Sequence, residues 1–168
     1  MIGKNEYGIL KFIWQWRQCY RRKRNKRTKT DKLKGIVIIF IENSKGEFLI
    51  QKTSTSKKGD YATTGGHVTY GSTFNESIIR EVKEELGIDI TNEKIIEVYN
   101  YIYNKYYQKV FYLKKDIDIK DLTIEDKEVE SISWLTKEQI EELIINNKFR
   151  EGNIEGYKKV LNYIVKYE

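Results

Sequence analysis

One predicted helix constrains this chain most, because its two ends and its buried face are all visible in the sequence. Thr73 followed three residues later by Glu76 forms a capping-box pattern, and Gly87 stands where helices commonly end. Between these signals, apolar residues recur at helical spacing and form one stripe: Ile78, Ile79, Val82 and Leu86. We therefore expect a helix from Thr73 to Leu86 whose stripe packs against a core.

The segments around this helix alternate between strand-like and helix-like patterns. β-Branched and aromatic runs predict five strands, at residues 35–43, 47–52, 95–104, 106–115 and 129–135. Two further helices are expected, over 137–147 after a capping box at Thr136, and over about 154–165. This order predicts an α/β layered domain at residues 35–168, preceded by an arm at residues 1–34.

Charge is divided unevenly between these two parts. Residues 1–34 hold 12 Lys and Arg against 2 acidic residues, whereas the remainder holds 19 against 23. Apolar residues at helical spacing predict a short amphipathic helix over residues 7–20, which leads into the basic stretch of residues 17–34. Two interpretations of the arm stay open. Its basic stretch, residues 17–34, could contact nucleic acid phosphates or an anionic membrane surface. The favoured alternative is that the helix packs on its own domain or on a second subunit, which would form a homodimer.

Composition also excludes several classes of protein. No apolar run approaches the roughly 20 residues of a transmembrane helix. The apolar stretch at residues 9–16 precedes the basic block, which is the reverse of a secretory signal. The single cysteine, Cys19, excludes an internal disulfide framework and a multi-cysteine metal site. We therefore expect a cytoplasmic protein.

Three glutamates lie close together on the predicted helix. Glu81, Glu84 and Glu85 stand at i, i+3 and i+4, beside the apolar stripe, so their like charges repel and Glu85 should be partly desolvated. They could form a solvated acidic face paired with lysines, or they could bind a divalent cation such as Mg²⁺ or Mn²⁺. Their spacing does not decide between these. The preceding Gly65 and Gly66 would allow backbone to approach a metal or ligand closely.

The stretch from Gly66 to Ile88 resembles the Nudix box, G-x5-E-x7-R-E-U-x-E-E-x-G-U, where U is a bulky aliphatic residue. Eight of the nine defined positions match: Gly66, Arg80, Glu81, Val82, Glu84, Glu85, Gly87 and Ile88. Ser72 replaces the first Glu. The resemblance extends over about residues 35–165 and implies an α/β/α sandwich with a mixed central sheet. It also implies a Mg²⁺-dependent pyrophosphohydrolase that cleaves a nucleoside diphosphate linked to another moiety.

The resemblance further implies roles for individual residues. The metal would be held by three glutamates and one carbonyl, namely Glu81, Glu84, Glu85 and the carbonyl of Gly65. Arg80 would orient the glutamates, and Gly66 would allow close approach of the substrate. Lys52 is expected either to reach a substrate phosphate or to be a solvated strand end. Glu128 is expected either to act as the general base or to be a plain surface acid.

Ser72 is the one departure from the box. Serine keeps a hydrogen-bonding group but lacks the charge that would pair with Arg80, and Glu76 could take over that pairing or cap the helix, with capping favoured. We expect Ser72 to lower activity without abolishing metal binding. The alternative function is a nucleotide- or RNA-binding regulatory module with weak or no turnover.

Overall fold

The computed structural model describes residues 34–124 and 128–167, which form a mixed sheet flanked by helices. The strands are β1 Lys34–Glu42, β2 Phe48–Thr53, β3 Tyr61–Ala62, β4 Thr64–His67, β5 Ile96–Tyr103, β6 Tyr106–Lys114 and β7 Val129–Leu135. The helices are α1 Phe74–Leu86, α2 Lys137–Ile145 and α3 Glu151–Tyr167. The five strands and three helices expected in the domain are confirmed. The short strands β3 and β4 were not predicted, because a two-residue strand and a glycine pair carry little strand pattern.

Two features of the prediction lie outside the described residues. The helix expected over residues 7–20 falls there, so this helix and the contacts proposed for the basic arm stay predictions, as does the homodimer.

Of the helices in residues 34–124 and 128–167, none is long and apolar enough to cross a membrane.

The sheet places β1 at its centre. The strand order is β3-β2-β1-β6-β5, with β7 added to β2 and β4 added to β1. The β1–β6 pairing is parallel over its whole length, whereas β5 and β6 form an antiparallel hairpin. The pairing that matters for the site is β1 with β4, in which Val37 lies opposite Gly66 and Ile38 opposite Gly65. It brings the glycine pair onto the central strand.

Helices cover both faces of the sheet. Side chains of β1 alternate between the faces, so Val37 and Ile39 belong to one buried cluster and Ile38 and Phe40 to another. The first cluster contains the apolar stripe of α1, namely Ile78, Val82 and Leu86. The second contains residues of α2 and α3, including Ile140, Tyr157 and Val160. A strand that is buried on both faces reads as a continuous apolar run, which explains the sequence of β1.

The beginning of α1 is held by the predicted capping box. The Thr73 hydroxyl accepts a hydrogen bond from the Glu76 backbone N–H at 3.1 Å, and the Glu76 carboxylate accepts one from the Thr73 N–H at 2.7 Å. The pKa of Glu76 is lowered first by the hydrogen bond from the Thr73 N–H and then by one from the Thr73 hydroxyl, which donates to the same carboxylate at 2.9 Å. Glu76 therefore caps the helix, as the sequence favoured, and its carboxylate is directed to Thr73 instead of Arg80.

Thr73→Ala is expected to lower the free energy of unfolding by about 1 kcal/mol, because it removes the acceptor for the Glu76 N–H. Chemical denaturation monitored by circular dichroism measures this change. Asn75→Ala, an exposed change in the same turn, serves as the control and should alter stability by no more than about 0.5 kcal/mol. Equal effects of the two substitutions would show that the box does not stabilise α1.

Candidate active site

The glycines of β4 bring backbone against the glutamate helix. A Cβ atom on Gly66 would overlap the Glu81 carboxylate, so this carboxylate packs directly on the Gly66 backbone. The N–H of Gly65 donates to Glu85 Oε2 at 3.3 Å. Because the N–H and C=O of one residue in an antiparallel strand point to the same side, the Gly65 carbonyl is expected on the side of the glutamates. The glycine pair therefore lets β4 and α1 approach to contact distance.

Glu85 is a buried carboxylate at the base of this arrangement. Its residue is 9% exposed, and its Oε2 accepts a hydrogen bond from Gln51 Nε2 at 2.7 Å. Burial raises the pKa of Glu85 to about 7, against the lowering effect of the Gln51 hydrogen bond and with a smaller contribution from the negative charge of Glu81. Near neutral pH, the Glu85 carboxyl is therefore partly protonated.

Arg80 holds the other two glutamates. Its Nη2 donates to Glu81 Oε1 at 2.6 Å and to the His67 carbonyl at 3.0 Å, and its Nη1 donates to Glu84 Oε2 at 2.6 Å. The Glu81 side chain is only 12% exposed. Burial raises its pKa despite the adjacent guanidinium. The contacts agree with the orienting role that the Nudix resemblance implies for Arg80.

One donor of Arg80 is left over. Among the described residues, the buried Nε of Arg80 has no hydrogen-bond acceptor. The Ser72 hydroxyl lies 3.0 Å from the Thr69 hydroxyl, and Glu76 is engaged with Thr73. A buried donor without an acceptor carries a desolvation cost. A side chain that accepted a hydrogen bond from Arg80 Nε would remove this cost.

The glutamates do not yet form a closed metal site. Within residues 34–124 and 128–167, no three Asp, Glu, His or Cys side chains are grouped to hold an ion, and Arg80 pairs with both Glu81 and Glu84. The donor set nonetheless suits a divalent cation. It consists of carboxylate oxygens and one carbonyl, the ligands that Mg²⁺ and Mn²⁺ prefer, and burial raises the pKa of two of the carboxyls.

Lys52 is not brought together with the glutamates. Its Nζ lies 2.7 Å from Glu130 Oε1, and this hydrogen bond is the main cause that raises its pKa. Gln51, the preceding residue of β2, faces Glu85, so strand alternation directs Lys52 to the opposite face of the sheet. A substrate contact by Lys52 stays a prediction.

Glu128 does lie near the glutamates. It precedes β7, and its negative charge is among the influences that raise the pKa of both Glu81 and Glu85. Its carboxylate forms an ion pair with Lys57 at 2.7 Å. The structure therefore places a further acidic side chain close to the glutamate helix.

The sequence analysis missed one residue of the site, Gln51. Its amide donates both to Glu85 and to Thr64 Oγ1, the latter at 2.6 Å, and the residue is buried. A signal for it existed in the strand pattern. Gln51 follows Leu49 by two residues and therefore shares its core-facing side, where an amide requires polar partners.

The sequence and the fold match those of known proteins. Residues 32–156 match the NUDIX domain family. An uncharacterized Nudix hydrolase of Listeria innocua is 32% identical over 118 residues, which are 68% of this chain and 70% of that protein. An ADP-ribose pyrophosphatase of Methanocaldococcus jannaschii is 35% identical over 60 residues, 36% of each chain. A solved structure from Deinococcus radiodurans superposes with a TM-score of 0.63 at 22% identity, covering 77% of this chain and 83% of that one.

These matches define the class as hydrolases with an α/β fold and a mixed sheet. The chain belongs to the Nudix family, whose hydrolases act on pyrophosphate bonds.

Proposed function

We propose that this protein is a Mg²⁺-dependent pyrophosphohydrolase that cleaves a nucleoside diphosphate linked to another moiety. The observation that carries the proposal is the buried Glu85 carboxylate beside Glu81, with its pKa raised to about 7. Such an arrangement is costly unless a cation compensates it. Mn²⁺ is the alternative ion, since it accepts the same oxygen ligands.

Three carboxylates and one carbonyl would hold the cation: Glu81, Glu84, Glu85 and Gly65. When bound, the ion offsets charge on pyrophosphate oxygens and lowers the pKa of a water. Arg80 orients Glu81 and Glu84 through two hydrogen bonds of 2.6 Å each. Gly66, which has no side chain, lets the Glu81 carboxylate pack on its backbone, and we propose that it also allows close approach of the substrate.

Glu128 is proposed as the general base. Its support is its closeness to the glutamate helix, where its charge affects both Glu81 and Glu85. A carboxylate there would accept a proton from the attacking water. Lys52 would contribute to substrate binding only after leaving Glu130, with which it forms an ion pair at 2.7 Å.

Phosphate release over a substrate panel tests the function. The panel consists of nucleoside triphosphates, ADP-ribose, dinucleoside polyphosphates and capped RNA, each with Mg²⁺ or Mn²⁺. ADP-ribose is included because one relative is an ADP-ribose pyrophosphatase. We expect at least one member to be cleaved by the wild type. Absence of turnover on every member would overturn the proposal.

A second function, nucleotide or RNA binding with weak or no turnover, is favoured by one observation. Arg80 already neutralises Glu81 and Glu84, and its Nε lacks an acceptor within the described residues. Equilibrium binding of the same panel separates the two functions. Binding without phosphate release would support the second function, a nucleotide- or RNA-binding module.

Gly66→Ala is expected to weaken Mn²⁺ binding about tenfold, because the new Cβ displaces the Glu81 carboxylate. The stability change should stay within about 1 kcal/mol, since the displaced group is the end of a flexible side chain. Titration calorimetry measures the affinity. In a Glu81→Gln background the same substitution should have no further effect, and an additional loss there would contradict the role of Gly66.

Ser72→Glu is expected to raise the rate about fivefold, because a carboxylate at this position supplies an acceptor for Arg80 Nε. Initial rates on the fastest panel substrate measure the gain. Ser72→Gln, which supplies an acceptor without charge, should give a smaller gain. An unchanged rate in Ser72→Glu would show that position 72 does not act on Arg80.

A further inference from the structure

The loop between β2 and β3 contacts Glu128 at two points. The Lys57 Nζ lies 2.7 Å from Glu128 Oε1, and the Ser54 N–H donates to the Glu128 carbonyl at 3.0 Å. Lys57 ends a short 3₁₀ turn, Thr55–Lys57. One loop therefore holds both the backbone and the carboxylate of Glu128.

The two ends of this loop are hydrogen-bonded to each other. At its two ends, the Thr53 hydroxyl donates to Asp60 Oδ1 at 2.7 Å. Asp60 in turn accepts two hydrogen bonds from Arg150, at 2.6 Å and 3.0 Å. A bidentate pair of this kind restricts geometry as well as adding energy. Lys57 thus extends from a loop whose ends are tied to each other and to the residue just before α3.

Strand pairing places the held carboxylate beside the glutamate helix. Val129, the residue after Glu128, pairs with Thr53 and is buried in the cluster that contains Val82 of α1. Two residues before Thr53, Gln51 donates to Glu85. Glu128 therefore directly precedes a residue that is packed in the same cluster as the helix that carries the candidate metal ligands.

We propose that Lys57 is a positioning residue for the hydrolysis reaction, holding the Glu128 carboxylate where it accepts the proton of the attacking water. This inference rests on the proposed function. In the reaction, the water oxygen forms a bond to phosphorus and one water proton passes to Glu128. The bridging P–O bond breaks, and its electron pair leaves with the departing phosphate. In this step Lys57 touches neither the water nor the phosphorus and acts through Glu128.

Kinetics of Lys57→Met in the full chain test the proposal, on the panel substrate that the wild type cleaves fastest. We expect kcat to fall about tenfold and KM to stay within about twofold, because a displaced base slows the chemical step without changing substrate binding. Lys57→Arg should restore most of kcat. A raised KM with unchanged kcat would overturn the proposal, because it would mean that Lys57 contacts the substrate directly.

Lys159→Met is the matched control. Lys159 pairs with Glu155 at 3.6 Å on α3, which packs on the face of the sheet opposite α1. Both ion pairs are solvent-exposed, and exposed pairs contribute little to stability, so both methionine variants should fold. A loss of kcat in Lys159→Met equal to that in Lys57→Met would show a nonspecific effect and overturn the proposal.

A double-mutant cycle separates positioning from an independent role. Lys57→Met combined with Glu128→Gln should be no slower than Glu128→Gln alone. Effects that multiply, or a Glu128→Gln variant with wild-type kcat, would overturn the inference. If the wild type cleaves no panel member, the proposed function fails and the positioning role fails with it. An active wild type with an unaffected Lys57→Met variant would remove only this inference.

Discussion

Glu85→Gln is expected to lower kcat about 10²- to 10³-fold, which is the scale of removing one preorganised electrostatic group from an active site. The amide keeps the size of the side chain but removes the charge that would hold the cation. Glu85 is buried and accepts hydrogen bonds from Gln51 and Gly65, so solvent or a neighbouring side chain cannot easily replace it. Initial rates on the fastest panel substrate, at saturating Mg²⁺, measure the effect.

Glu76→Gln is the matched control, because it makes the same chemical change on the same helix. Glu76 caps α1 and is exposed, and its carboxylate is bound to Thr73. The control should keep near wild-type kcat and lose no more than about 1 kcal/mol of stability. A wild-type rate in Glu85→Gln would contradict the proposed role of Glu85 in the pyrophosphohydrolase reaction.

Metal-free protein is expected to lose about 3 kcal/mol of stability as the pH rises from about 4.5 to about 7, through Glu85 alone. The ordinary pKa of this carboxyl is 4.5, and burial raises it to about 7 in the folded state. Between these values the folded protein binds the proton that the unfolded chain has released. Stability is therefore highest below pH 4.5 with respect to this group, and it falls until the proton is lost near pH 7.

Urea denaturation in a chelator, repeated across this pH range, measures the effect as a difference from Glu85→Gln. The amide does not titrate, so the variant should become more stable than the wild type toward pH 8 and lose this advantage near pH 4. Added Mg²⁺ should stabilise the wild type at pH 8, because the ion binds the folded state. A pH-independent difference between the two proteins would contradict the raised pKa.

The sequence predicted those parts of the site that depend on neighbours along the chain. The start and end of α1 follow from Thr73, Glu76 and Gly87, because caps satisfy backbone groups within a few residues of themselves. The closeness of Glu81, Glu84 and Glu85 follows from helical spacing alone. The competition between capping and pairing at Glu76 was also predictable, because a capping box requires only residues three apart.

The contacts that give these residues their environment depend on strand pairing. The burial of Glu85 against Gln51 requires β2 to lie beneath α1, and the contact of Glu81 with Gly66 requires β4 to pair with β1. Residues that far apart in the chain meet only after the sheet has formed.

The local sequence thus determined which side chains are candidates for the chemistry, whereas the tertiary structure decided their charge state and their partners. Helix caps and residue spacing act over three or four positions, so they can be read directly from the chain. Three features arise between segments that the sheet brings together. They are the desolvation of Glu85, the lack of an acceptor for Arg80 Nε among the described residues, and the ion pair between Lys57 and Glu128. Their energies depend on burial and distance, which no short stretch of sequence contains.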